Sequence, residues 1–324
     1  IHFDRDMFSS CCIARMANGS LGGKGRGTAF IAHLLENIDF AQYTGLPVRM
    51  PRTAVIGIDA FEGFLDNLAA AGIDPCQEQD YGELRRRFLG VELPAGLVSR
   101  LREYVDLVRS PIAVRSSGLF EDMLLQPFAG IYDTYLIPNA SGDPEVRLRQ
   151  LCDAIRMVYV SIYSPTARAY FDSIGYKLEE ERMAIVLQEV VGKNCNGYFY
   201  PHVSGTAQSF NYYPVSGLSP EDGVANVALG LGEYVVEGGQ CHRFCPRRPK
   251  MDLVSPEAQI RSSQRYFYAL NLMGDPPDLL AGESSCYERL DIAHAEAHGM
   301  LTPLASVWDI DNHRLQPGLE AAAP

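Results

Sequence analysis

The sequence predicts an α/β fold, of the α+β kind, with mixed sheets and flanking helices. Three observations carry that expectation. Amphipathic helical stripes fill residues 80–107 and 145–174, and short apolar runs suited to buried strands, Ile112-Ala113-Val114 and Ala184-Ile185-Val186-Leu187, stand between and after them. From Met183 onward the hydrophobic period changes from that of helices to that of strands. A hydrophobic content of 47% with 21% charged residues, over 324 residues, supplies enough apolar material for a sizeable core, in two domains or one large domain with subdomains.

The elements follow in order. Residues 20–27, Ser-Leu-Gly-Gly-Lys-Gly-Arg-Gly, read as a glycine-rich loop leading into a helix that starts at Thr28. Residues 48–58 read as a strand with a proline at its edge, and Asp59 as the N-cap candidate of the next helix. Two helices fill 80–107, broken at Pro94. Asp143-Pro144 opens a long helix over 145–163, with Leu148, Leu151, Ile155, Val158 and Ile162 on one stripe, and Pro165 starts another that runs to Ile174. The run 184–187 suits a central strand. Tyr198-Phe199-Tyr200 and 207–213 read as antiparallel strands turned at Ser204-Gly205, and 224–229 as a further strand. Residues 255–270 read as helical, and the sequence beyond 272 as loop-rich.

Two stretches carry chemistry. Glycines let a backbone approach a ligand closely, and a helix N-terminus favours an anion, so Lys24 and Arg26 on the first loop suit a phosphate. The Walker pattern is absent there. In Ala113-Val114-Arg115-Ser116-Ser117, a strand delivers Arg115, the side chain best shaped for bidentate phosphate contact, into a turn followed by Glu121-Asp122. The plainer account pairs Arg115 with Glu121 or Asp122 inside the fold and has Ser116 and Ser117 capping the turn.

Together these stretches resemble the nucleotide-binding region shared by phosphoenolpyruvate synthases, pyruvate phosphate dikinases and rifampin phosphotransferases. The likeness rests on Gly22-Gly23-Lys24-Gly25, on Ala113-Val114-Arg115-Ser116-Ser117 with Glu121-Asp122, on Phe128-Ala129-Gly130 with Asp133-Thr134-Tyr135-Leu136, on Met183 to Val191, and on Gly230-Leu231-Gly232-Glu233. The resemblance implies an ATP-grasp-like nucleotide-binding domain built of subdomains: an N-terminal one with the glycine-rich loop (1–110), a core (111–250), and a truncated C-terminal helical and loop segment (251–324). It implies Mg2+ and ATP as cofactors, with Lys24 and Arg115 on the phosphates. Gly130 and Thr134 would touch the nucleotide, Gln188 would sit beside the adenine, and Glu189 and Val191 would offer backbone groups. In the family, ATP phosphorylates a carrier histidine on a separate domain, which passes phosphate to pyruvate on another. Those domains would lie in a longer chain, and the opening on Ile1 reads as a piece of one. Trp308-Asp309-Ile310-Asp311 bears a faint likeness to the family's acidic metal-binding stretch, but no Gln-x-Arg-Pro stretch follows, and Tyr200-Pro201-His202 departs from the family's usual residues. The alternative expectation is a non-catalytic nucleotide-sensing or regulatory module that retains the fold.

Other classes fit less well. A net charge of −12 argues against a nucleic-acid partner, no apolar run approaches membrane-spanning length, and eight scattered cysteines read as reduced thiols of a cytoplasmic protein. Cys241 and Cys245 lack the second pair a zinc site needs, and His294 and His298 read as a solvated helix face. Glu233 reads as a carboxylate that stabilises its turn.

Overall fold

The computed structural model describes residues 8, 12–43, 45–119, 121, 130–251 and 253–318. The chain forms two compact units, one of Ile1–Val190 with Gly274–Cys286 and one of Val191–Met273 with Tyr287–Pro324. The mixed α/β, ATP-grasp-like character expected from the sequence is present. Strands from both sides of residue 110 share one sheet, and the two units part after Val190.

That sheet belongs to the first unit. Its strands are β1 (Ile13–Arg15), β2 (Thr53–Ile56), β3 (Ile112–Gly118), β4 (Thr134–Ile137) and β5 (Met183–Glu189), in the order β1-β2-β5-β3-β4. β1 and β2 are parallel, and the other neighbours are antiparallel. β5 is central, and its buried run Met183–Leu187 is covered on both faces, as a continuous apolar run requires. The unit's helices are α1 (Gly22–Glu36), α2 (Asp59–Ala70), α3 (Tyr81–Leu89), α4 (Ala95–Leu107), α5 (Pro144–Val160) and α6 (Pro165–Ile174). α1 and α5 both pack on β3 and β5.

α5 shows why these residues are helical. Asp143 caps it by accepting from the Glu145 N–H at 2.9 Å, Pro144 occupies the first turn, and Leu148, Leu151, Ile155 and Val158 are all buried. The α-helix stops at Val160 and tightens into a 3₁₀ turn, Ser161–Tyr163, before Ser164 caps α6. Tyr159 of α5 stacks 5.7 Å from Phe64 of α2, and Phe88 of α3 meets Phe64 edge to face at 5.5 Å. Truncating such a buried ring costs about 3–5 kcal/mol.

The second unit holds β6 (Lys193–Cys195), β7 (Tyr198–Tyr200), β8 (Ser204–Gln208), β9 (Val224–Ala228), β10 (His242–Phe244), β11 (Tyr266–Asn271), β12 (Glu288–Asp291), β13 (Ser306–Asp309) and β14 (Arg314–Pro317). They form a sheet of order β10-β9-β8, a sheet of order β12-β11-β7-β6 and the hairpin β13–β14. Tyr200, Phe267, Leu229, Leu290 and Met300 make its core.

Five local expectations are corrected. The helix at the glycine-rich stretch begins at Gly22, not Thr28, and the strand expected over 48–58 is confined to Thr53–Ile56. Ser204-Gly205 is no turn. It lies in β8, and a Cβ on Gly205 would sit 2.2 Å from the Asn226 carbonyl oxygen of β9, so glycine serves close strand approach. Residues 255–270 hold only the short helix Pro256–Arg261 before β11, where buried Phe267 and Ala269 alternate with more exposed Tyr266 and Tyr268 in a strand's period. Beyond 272, β12, β13, β14 and the helix Ile292–Ala297 stand where loops were expected.

The first and last glycines of the glycine-rich helix make opposite predictions. Gly22 has φ +68°, and a Cβ there would fall 1.9 Å from the Ser117 carbonyl oxygen, whereas Gly27 faces open space. Gly22→Ala is expected to cost roughly 2 kcal/mol or more, and Gly27→Ala to stabilise by up to about 1 kcal/mol through helix propensity. Urea midpoints of the two variants check this.

Candidate functional site

The sheet register gathers the site. Arg15, Val55, Val186, Arg115 and Thr134 form one row across all five strands and therefore share a face. Thr53 and Gln188 lie two residues along their strands, on the same face. α1 lies over it. The Gly25 N–H donates to Ser117 Oγ at 2.9 Å, and Ser117 Oγ donates to the Leu21 carbonyl at 2.7 Å. A Cβ on Gly25 would stand 3.1 Å from Val55 Cγ1. The glycines thus bring the helix down on the sheet, and Gly22 and Gly25 have their amides engaged by Ser20 and Ser117.

What remains open is a cleft of roughly 250 Å³ lined by Lys24, Gly27, Thr28 and Ile31 of α1 and by Arg115 and Val186 of the sheet. Arg115 is the one exposed residue of β3. Among the described residues, its Nη1 makes a long 3.5 Å contact with Gln188 Oε1. The expected pairing of Arg115 with Glu121 is replaced by another: Lys24 Nζ donates to Glu121 Oε1 at 2.6 Å and to Ser116 Oγ at 3.1 Å. Glu121 is buried and also accepts from Ser116 Oγ at 2.9 Å and from the Gly118 N–H at 2.7 Å. These three donors satisfy the buried carboxyl group, which is not part of the cleft lining.

A second buried carboxylate lies beside it. Glu181 is 1% exposed and accepts from the Leu119 N–H at 2.9 Å. Gly118 is wedged between the two acids: a Cβ there would meet Glu181 Oε1 at 2.9 Å and the Tyr132 ring at 3.0 Å. Burial pushes the Glu181 carboxyl up to about 7; the Leu119 N–H opposes that rise and the charge of Glu121 adds to it. The sequence offered little sign of Glu181, which sits in the charged stretch Glu179-Glu180-Glu181-Arg182 and reads as surface.

The other expected contact residues are placed as follows. The Thr134 N–H donates to Glu283 Oε2 at 2.9 Å, within a returning segment that Arg85 holds through the Leu279 and Leu280 carbonyls. Gln188 Nε2 donates to Thr53 Oγ1 at 3.2 Å. Glu189 closes β5, its side chain 2.6 Å from Arg52 Nε and its N–H spent on the Arg52 carbonyl. Val191 is exposed and belongs to the second unit. Gly130 is exposed with φ +75°, while Phe120, Asp122 and Gln126 to Ala129 lie outside the described residues. The cleft lining holds no carboxylate, and no three His, Cys, Asp or Glu side chains among the described residues group to hold a metal ion. The described residues around the cleft therefore do not fit a magnesium ion held by their side chains alone.

With this geometry in view, comparison with known proteins is informative. The family described as pyruvate phosphate dikinase, AMP/ATP-binding domain, matches residues 18–270. The chain belongs to this family. Among curated relatives, it is 28% identical over 222 residues to a phosphoenolpyruvate synthase of Aeropyrum pernix, covering 64% of this chain and 24% of that protein. It is 32% identical over 158 residues to a rifampicin phosphotransferase of Streptomyces sviceus, covering 48% and 16%. It is 30% identical over 221 residues to the prodigiosin synthesizing transferase PigC of Serratia marcescens, covering 67% and 21%. The match thus spans a quarter or less of each relative's length. The cleft lined by Lys24 and Arg115 lies within the matched residues. No helix among the described residues is long and apolar enough to cross a membrane.

Glu181 gives this site a pH signature. Its ordinary carboxyl releases its proton near 4.5 and the folded one near 7, so folding takes up a proton between those values. The stability it contributes is fully present below pH 4.5 and lost as pH rises through about 7. Between pH 6 and pH 8 the loss is on the order of 1 kcal/mol. Glu181→Gln, uncharged throughout, is expected to remove that part of the pH dependence. Urea midpoints at the two pH values test it, and an unchanged slope in the variant would refute it.

Proposed function

We propose that this chain is the ATP-binding part of a phosphoenolpyruvate-synthase-like phosphotransferase, in which Mg-ATP phosphorylates a carrier histidine on a separate domain that passes phosphate to pyruvate. One observation carries the proposal. Two motifs far apart in sequence bring Lys24 and Arg115 to one cleft. Phosphoryl transfer depends mainly on positioning and on positive charge at the phosphates. In this reading Lys24 and Arg115 hold the phosphates, Gly130 and Thr134 contact the nucleotide, and Gln188 lies beside the adenine, with Glu189 and Val191 offering backbone groups. Magnesium would arrive on the nucleotide, since it is commonly held by substrate phosphates and water. The phosphohistidine and pyruvate-binding domains are expected in a longer chain. A cytoplasmic setting is proposed, in keeping with free thiols at the seven described cysteines.

A second reading is a nucleotide-sensing module without transfer. It is favoured by Asp309, whose carboxylate is already engaged by Asn312 and Gln316 at 2.8 and 2.6 Å. Phosphohistidine formation by the full-length protein with ATP would separate the two readings.

The binding claim is tested by calorimetric titration with ATP and magnesium. Saturable binding is expected, weakened roughly tenfold or more by Lys24→Ala and by Arg115→Ala, each of which removes a charge-assisted contact. Binding indifferent to both substitutions, in folded protein, would overturn it.

A further inference from the structure

We propose that Glu121 is the positioning residue of the cleft: it fixes the Lys24 ammonium so that one N–H is left facing the phosphate of a bound nucleotide. The inference rests on the nucleotide reading of the cleft and goes beyond it in assigning a role to a residue that does not line it.

A lysine ammonium has three N–H donors on a flexible stem. Here Glu121 Oε1 takes one at 2.6 Å and Ser116 Oγ takes another at 3.1 Å. The side chain remains 34% exposed and lines the cleft, and among the described residues no group takes the third donor. Glu121 is held in turn. Its residue is 4% exposed, its Oε2 accepts from the Gly118 N–H at 2.7 Å, and Ser116 Oγ reaches its Oε1 at 2.9 Å. Both carboxylate oxygens are thus directed at interior partners. The rotamer freedom a lysine normally loses when it meets a ligand is already lost on folding.

The pairing also divides labour between the two cations. Lys24 and Glu121 together are neutral, so the net positive charge of the cleft lining is that of Arg115, the exposed residue of its strand. Arg115 attracts the phosphates, and Lys24 sets where they come to rest.

A positioning role acts through Lys24, and a double-mutant cycle detects that dependence. ATP binding is measured by calorimetry for wild type, E121Q, K24M and K24M/E121Q, with melting temperatures recorded alongside. E121Q keeps the side chain's size but places an amide donor against either Lys24 or the Gly118 N–H. It is expected to weaken ATP roughly tenfold, the size of one charge-assisted bond lost. In the K24M background the same change is expected to alter affinity less than about twofold, as coupling through one partner requires. In nitrogen-edited NMR, the Lys24 ammonium signal should be slowly exchanging in wild type and lost in E121Q. Equal losses in both backgrounds would assign Glu121 a purely structural role and overturn the proposal, as would no loss in either. If K24M leaves ATP binding intact, the nucleotide reading of Lys24 itself fails. If K24M weakens binding and E121Q does not, only the role of Glu121 fails. Should E121Q not fold, Ser116→Ala removes the other Nζ partner and spares the ion pair. Its expected effect is a roughly two- to threefold loss that appears only when Lys24 is present, and a loss independent of Lys24 would count against the proposal.

Discussion

The close seating of α1 on the end of β3 is the constraint on which the site depends. Ser117 meets the helix with its carbonyl against Gly22 and its hydroxyl bridging Leu21 and Gly25. Only at that separation does the Lys24 side chain, one turn into the helix, reach a carboxylate that follows the same strand. An ion pair buried on one side stabilises only when its geometry and secondary hydrogen bonds offset desolvation. Glu121 meets that condition with three donors: the ammonium, a hydroxyl and a backbone N–H. The glycines of this stretch serve mainly to remove side chains from a packing interface, and the open cleft beside Gly27 is what the packing leaves.

The strand end is electrostatically unusual. Two glutamates, each less than 5% exposed, crowd around Gly118. They are not equivalent, because one holds an ammonium and the other has a backbone N–H and a phenol as neighbours. Burial raises the carboxyl of the second, Glu181. Arg115 on the same strand stays in solvent, so a single strand presents a cation on one side and buries acids past its end.

Much of this was legible in the sequence. The motifs around Lys24 and Arg115 pointed to one cleft, and the central position of 184–187 followed from its unbroken apolar run. Which cation holds Glu121 stayed open in the sequence, because a strand-end arginine and a helix lysine are equally plausible mates until the register is known. Gly205 and the residues from 255 to 270 failed for a related reason. Glycine marks both turns and close strand approach, and an aromatic-rich stretch after a short helix looks helical unless the alternation of Phe267 and Ala269 with their neighbours is counted. Glu181 was hidden by its charged surroundings, since only tertiary packing decides which of three adjacent glutamates is buried.

The returning segment Gly274–Cys286 changes how the two units are joined. It leaves the second unit after β11, gives its Leu279 and Leu280 carbonyls to Arg85 and its Glu283 carboxylate to the Thr134 amide, and goes back to begin β12. The backbone therefore passes between the units three times, near 190, 273 and 286. A hinge made of one connection can be severed by one protease cut, whereas here a single nick leaves two tethers intact. Neither unit is therefore one continuous stretch of chain.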